Sequence, residues 1–233
     1  MLKKKHATRK HLPRGLELLY EDRDILVVDK PAGLLTVRTE TNKFQTAEYI
    51  LTDYVRKGSL KSWKRIFVVH RLDQWTSGVM IFAKSEEVMS FLKAQWGDTE
   101  KKYIAVVYGQ LAPKEGMITS YLSENKAYVV YSTTDVTKGK LAHTVYKVLK
   151  ETKQFSLLEI NLLTGRKNQI RVHMADRGHP VVGDRKYGKT KDGYQRLALH
   201  SKSISFKHPT SGEQMTFETK VPDYFNKLID NIQ

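Results

Sequence analysis

The stretch VVHRLDQWTSGVMIFAKS, Val68 to Ser85, contains one acidic residue, Asp73. Arg71 precedes it by two positions, Thr76, Ser77 and Gly78 follow, and no other Asp or Glu occurs between Asp53 and Glu86. A lone carboxylate among basic and small residues can serve as a nucleophile or a base. It can equally cap a turn through its side-chain oxygens. A second constellation bears on the choice. LLTGRKNQIRVHMADRGHP, Leu162 to Pro180, supplies Arg166, Lys167 and Arg171, with no acid from Asn161 through Ala175. Arg171 stands between Ile170 and Val172, which predicts an inward-facing guanidinium. A buried Arg requires a carboxylate partner, and Asp73 is a candidate. A guanidinium beside an acid also favours the ionised form that a nucleophile needs. Contact of Arg171 with phosphate or solvent is the alternative. Third, KKYIAVVYG places Tyr103 in a strand. There its ring could stack on a base and its hydroxyl could exchange a proton, or it is simply one of twelve tyrosines. The eight histidines are scattered without ligand spacing and cysteine is absent. There is no phosphate-binding loop and no GxGxxG after a strand, so neither a metal nor a cofactor is expected.

These residues need a scaffold. DILVVDKPAG reads as a strand, Ile25 to Val28, stopped by Pro31 and Gly33. TAEYILTDYV has helical spacing in Ala47, Ile50, Leu51, Tyr54 and Val55. RIFVV and GVMIFAK read as strands on either side of the Asp73 turn. Ser85 suits a helix N-cap, with Glu86 and Glu87 at the positive end. That helix carries Val88, Met89, Phe91, Leu92 and Trp96 and closes at Gly97. Strands follow in KKYIAVVYG, GMITSYL, AYVVYST, AHTVYKVLK and FSLLEINLL. RKNQIRVHMADRG is a short helix ended by Gly178, and RLALHSKSISF and QMTFETKV are the last strands. Two to three helices and about nine mostly successive strands predict an α+β fold, with a mixed, largely antiparallel central sheet and flanking helices and loops.

Charge narrows the partner. Forty Lys plus Arg against 25 Asp plus Glu leave +15. Six of those charges fall in the first fourteen residues, which hold no acid. Residues 1–15 therefore read as a basic flexible arm and 16–233 as the folded domain. The excess on the folded part points to a polyanion, with a merely solubilising surface as the bland reading. An anionic membrane surface fits less well, because no amphipathic basic helix stands out. No run of 18 apolar residues and no apolar core of a secretion signal occur. A cytoplasmic monomer is expected.

HRLDQWTSGVMIFAK, His70 to Lys84, resembles the HRLDxxTSGxxxxAK signature of the RluA-type pseudouridine synthases. KPAG at Lys30 to Gly33 is similar to the first motif of that family, and KKYIAVVYG to its tyrosine-bearing strand. LLTGRKNQIRVHM and HPVVGDRKYG resemble its third motif and the loop after it. LALHSKSISFKHPTSGE resembles its C-terminal strand and turn. The chain departs at Asn168, where family members commonly carry His. The pattern begins near Leu16, leaving no room for the S4 RNA-binding domain that many relatives carry ahead of it.

The resemblance implies a pseudouridine synthase fold with a central cleft. It also implies isomerisation of specific uridines in ribosomal or transfer RNA, without a cofactor. Asp73 would act at the target uridine, Arg171 would pair with it, and Tyr103 would stack on the uracil and take the C5 proton. Arg71 would enter the space left by the extruded nucleotide. Leu163 and Ile170 would wall the pocket, with His70 and Arg166 also among the substrate-binding residues. Extruding a base costs a few kcal/mol, which phosphate contacts and stacking worth roughly 1–3 kcal/mol can offset. A glycosidase or base-excising enzyme would need a second carboxylate, and the surroundings of Asp73 offer none. A non-catalytic RNA binder would have no use for an ionised acid beside phosphates.

Overall fold

The computed structural model describes residues 16–57, 59–188 and 193–230; the basic arm at 1–15 lies outside them. Of the described residues, 17% are helical and 38% are in strands. The described residues form four helices and eleven strands, and the named strand pairs detailed below are antiparallel. The chain divides into two compact units. One comprises the residues up to Thr99 with Ser203–Thr219, and the other comprises Glu100–Lys202 with those from Lys220 onward.

In the first unit β1 (Glu17–Glu21), β2 (Ile25–Lys30) and β4 (Ser77–Ala83) pair in that order. The short β3 (Phe67–Val68) adds at the Ala83 end of β4. β2 and β4 are continuous apolar runs because both faces are covered. Ile25, Val27, Val79 and Ile81 share one core with Leu92, Ile204 and Phe206. The last two come from β10 (Leu199–Lys207), which forms a hairpin with β11 (Gln214–Glu218). The helices start where expected. Thr46 Oγ1 accepts the Tyr49 N–H at 3.2 Å at the head of α1 (Ala47–Arg56). Ser85 Oγ accepts the Val88 N–H at 3.2 Å at the head of α2 (Glu86–Ala94). α2 ends two residues before Trp96, so that ring packs beyond the helix instead of along it.

The second unit orders β5 (Glu100–Tyr108), β9 (Phe155–Leu162), β8 (Lys140–Glu151), β6 (Glu115–Glu124) and β7 (Val130–Thr133). β9 alternates buried and half-buried residues along most of its length, as a sheet with one covered face requires. α3 (Gln169–Asp176) packs Val172 against Leu122, Val130 and Ala142. Two elements go beyond the sequence expectation. β1 has polar ends and no alternation. α4 (Asp223–Asp230) buries Phe225, Leu228 and Ile229 against β5 and β9. Its eight residues are too few to show a helical period without that packing.

Candidate active site

Asp73 lies half-buried on the connection between β3 and β4. What holds that connection is Lys30, at the end of β2, whose side chain is fully buried. Its Nζ donates to the carbonyls of Pro31 (2.9 Å), Leu34 (2.8 Å) and Gln74 (3.1 Å). Three acceptors match the three N–H groups of an ammonium. The KPAG turn is then stitched directly to the Asp73 loop. Gly33 N–H donates to Gln74 O at 2.8 Å, and Gln74 Nε2 donates to Gly33 O at 3.1 Å. Thr36 Oγ1 donates to Leu72 O at 2.9 Å and accepts the Leu72 N–H at 3.3 Å. Both neighbours of Asp73 are thereby fixed through their backbones. Gly33 has φ +94° and lies against the Trp75 ring, a backbone state that favours glycine.

Burial pushes Lys30 down to about 7, while the charges of Asp73 and Asp29 act to raise it. Burial and Glu17 in turn push Asp29 up to about 6. Below pH 7 both folded and unfolded chains carry a charged Lys30, and the fold bears the whole burden of burying it. Between pH 7 and the ordinary lysine range near ~10.4 only the unfolded chain keeps that proton, so stability rises with pH. Lys30→Met should flatten this rise in melting temperature from neutral to alkaline pH. Above pH 7, where the cost of the buried charge is gone, it should also lower stability by about 1–3 kcal/mol, because buried carbonyls lose their donor. Parallel pH profiles for the two proteins would contradict this role for Lys30.

The other first-unit candidates flank the same loop. His70 Nε2 accepts the Ile81 N–H at 3.0 Å, and its ring stacks on Trp96 with centroids 4.5 Å apart. Arg71 is exposed.

In the second unit, Arg171 on α3 presents Nε and Nη2 to the two oxygens of Asp184 at 2.7 and 2.8 Å. The Asp184 side chain is fully buried. Its Oδ1 also accepts the N–H groups of Lys186 (2.9 Å) and Tyr187 (3.0 Å). Burial raises the Asp184 carboxyl, but the Arg171 guanidinium and these N–H groups outweigh it and hold the group below the usual range. Gly183, at φ +75°, is required just before it, since a Cβ there would stand 2.1 Å from Arg196 O. The guanidinium also lies 5.1 Å from the centre of the Tyr187 ring. The Tyr187 hydroxyl donates to Asn168 Oδ1 at 2.9 Å and accepts the Val130 N–H at 3.1 Å. Asn168 sits at the head of α3 with φ 52°, the left-handed state that Asn tolerates better than most residues. The Asn168 side chain thus serves here as the acceptor for the Tyr187 hydroxyl.

The loop before α3 is held by Gln169. Its Nε2 donates to His143 O (3.0 Å) and Thr144 Oγ1 (2.9 Å). Its Oε1 accepts from Thr164 Oγ1 (2.8 Å) and Arg166 N–H (3.0 Å). Leu163 and Arg166 are exposed on this loop, and Arg166 Nε donates to Leu141 O at 3.0 Å. Ile170 is buried, as is Tyr103, which pairs with Ile160 across β5 and β9. His173 is fully buried between Ser120 Oγ and Thr144 Oγ1, both at 2.9 Å. Burial pushes it down to about 4, so it is a neutral structural group at physiological pH. The structure thus gathers His70, Arg71 and Asp73 in one unit and Tyr103, Leu163, Arg166, Ile170 and Arg171 in the other.

Residues 24–176 match the model of the RNA pseudouridylate synthase family. The chain belongs to that family. The dual-specificity RNA pseudouridine synthase RluA of Salmonella typhimurium is 37% identical over 222 residues, covering 90% of this chain and 94% of the relative. The ribosomal large subunit pseudouridine synthase D of Zymomonas mobilis is 33% identical over 224 residues, covering 89% and 69%. The solved structure of human RNA Pseudouridylate Synthase Domain Containing 4 shares the fold, with a TM-score of 0.73, 90% coverage of both chains and 23% identity.

Within this RluA-type pseudouridylate synthase, Lys30, Asp73, Tyr103 and Arg171 fall inside the matched span, and Asp184 lies beyond it. The sequence reading missed the roles of Lys30, Gln169 and Asp184, although KPAG and HPVVGDRKYG had drawn attention to two of them. Among the described residues of this synthase one cluster, Asp22, Asp24 and His208, has the proximity a metal ion would need, its ligand atoms lying within 4.8 Å of one another. Those atoms are engaged in another way. His208 Nδ1 accepts the N–H groups of Thr210 and Ser211, which leaves Nε2 to donate to Asp22 at 2.8 Å. Asp22 also caps Asp24 and Ile25, both at 2.8 Å. The trio is a clasp between two turns. A cavity of about 620 Å³ beside it, lined by Arg23, Asp24, Lys84 and Phe91 among others, includes none of the candidate residues.

Proposed function

We propose that this chain isomerises specific uridines of ribosomal or transfer RNA to pseudouridine, with residues 16–233 acting as one catalytic domain and no cofactor taking part. The observation that carries this reading is the HRLDQWTSG loop, which bears Asp73 and is locked to the KPAG turn by the buried Lys30. A chain of net charge +15 suits the polyanionic substrate. The names of the two bacterial relatives, one dual-specificity and one ribosomal, support that substrate class.

In the reaction the N1–C1′ bond breaks, the uracil turns and C5 joins C1′. C5 then loses its proton and N1 gains one, so nothing enters from outside. Asp73 acts at the extruded nucleoside and Arg171 is its charge partner. Tyr103 stacks on the uracil and takes the C5 proton. Arg71 occupies the vacated place in the RNA, Leu163 and Ile170 wall the base, and His70 and Arg166 complete the substrate side. The protein works as a cytoplasmic monomer; no described helix is long and apolar enough to cross a membrane.

Mapping pseudouridine in cellular RNA with and without the gene tests the reading and identifies the site. Loss of no modification would overturn it, and release of free uracil by the purified protein would reassign it to base excision. Tyr103→Phe should bind RNA as well as the parent but turn over more slowly, on the order of 10²-fold. An unaltered rate would reject proton transfer by its hydroxyl.

A further inference from the structure

Between α1 and β3 the chain reads RKGSLKSWKR, Arg56 to Arg65, with five basic residues and no acid in ten. Nothing in the chemistry above uses it. Its apolar members face water: Leu60 is 94% exposed and Trp63 96%. An indole is ordinarily among the more buried groups of a fold, so one this free needs a reason.

The base of the loop is built. Arg56 Nε donates to Lys64 O at 2.9 Å and closes the loop on itself. Ser59 N–H donates to Arg56 O (3.0 Å) and Ser62 N–H to Ser59 O (3.1 Å), making successive turns. Arg65 pairs with Glu86 at 2.6 Å and lies over the Phe67 ring at 4.6 Å. Ile66 is buried and its N–H donates to Thr52 Oγ1 at 3.2 Å. The stem is thus fastened to α1, α2 and β3, while Leu60 and Trp63 stand in solvent. Lys61 and Lys64 are near neighbours of Trp63 in the chain and Lys57 lies six residues before it; all three are exposed, and none takes part in an ion pair among the described residues.

A flat apolar ring flanked by unpaired ammonium groups matches one kind of partner best. Unpaired nucleotides offer a π-face to the ring and phosphates to the lysines. A second copy of the chain would bring the same positive charge to the contact, and a membrane would meet only Trp63 and Leu60 as apolar anchors. We propose that Lys57 and the residues from Ser59 to Arg65 form an RNA-holding finger: Trp63 stacks on an unpaired base, and Lys57, Lys61 and Lys64 take the neighbouring phosphates. This rests on the reading that RNA is the substrate and adds where a flanking part of it is held. The finger joins β3 next to the Ala83 end of β4, whereas the Asp73 loop enters β4 at Ser77. That strand is about 20 Å long, so the base on Trp63 is a flanking nucleotide and not the reacting uridine.

The test uses the full chain and a short, labelled, single-stranded RNA of mixed sequence, with the duplex of the same RNA as control. Trp63→Ala should weaken single-strand binding about tenfold and leave duplex binding nearly unchanged, and Trp63→Phe should restore most of the loss. The double variant Lys61→Ala, Lys64→Ala should reduce the slope of log affinity against log salt by about 1.4. Equal single-strand affinity of the parent and Trp63→Ala overturns the proposal. So does a Trp63→Ala protein that keeps its RNA affinity but loses phosphatidylserine vesicles, or one whose only change is a smaller oligomer. Assaying pseudouridine alongside separates this idea from the isomerase reading. A parent that makes pseudouridine, with a Trp63→Ala variant that binds RNA normally, retires the finger alone. A parent that makes none, yet loses RNA affinity on Trp63→Ala, keeps the finger and retires the isomerase.

Discussion

Asp73→Asn is expected to abolish isomerisation while the protein stays folded and keeps its affinity for RNA. The amide has the shape of the carboxyl but neither its charge nor its nucleophilicity, so the rate should fall on the order of 10³-fold or more. The fold should tolerate the change because the loop is held through backbone atoms. Lys30 grips the carbonyls of Pro31, Leu34 and Gln74, and Thr36 grips Leu72. None of these bonds uses the Asp73 side chain. The variant should shift one further property. The Asp73 charge acts to raise Lys30, so its removal should let burial lower Lys30 further and extend the pH range over which stability climbs toward lower pH. Single-turnover pseudouridine formation, RNA affinity and melting temperature across pH decide the matter together. A variant that retains most of the parent rate would end the assignment of Asp73 to the chemistry.

The second large effect is structural. Asp184→Asn removes the charge that faces the Arg171 guanidinium from a fully buried position, and it disturbs the acceptor of two backbone N–H groups. Breaking a buried pair by changing one partner costs about 3–5 kcal/mol, which for a chain of this size is a drop of roughly ten degrees in melting temperature. The pH dependence has a definite sign. The folded carboxyl titrates below its ordinary range, so the pair's contribution is fully present above about pH 4 and is lost as pH falls through the folded value. The variant should therefore lose less stability than the parent on acidification. Arg171→Lys should retain only part of the pair's contribution, because an ammonium cannot reproduce the two-pronged contact. An unchanged denaturation midpoint in Asp184→Asn would show that the pair does not support α3.

Much of this was legible locally. The cap at Ser85, the apolar runs of β2 and β4 and the lone acid between β3 and β4 follow from neighbours in the chain. The motif around Asp73 points to the family for the same reason, since its residues are consecutive. β1 and α4 were not legible, because an edge strand with polar ends and an eight-residue helix acquire their identity from the surfaces they cover.

The sequence by itself determined the family and the loop that carries the acid, and it raised a carboxylate as one of two partners for Arg171. Only the tertiary structure decided that Arg171 meets Asp184 within its unit and that Lys30 is the buried peg of the Asp73 loop. The physical reason is the same in both cases. A buried charge must find its partners wherever the folded chain supplies them: for Arg171 thirteen residues on, past the turn at Gly183, and for Lys30 on carbonyls up to 44 residues away. No local pattern encodes such separations.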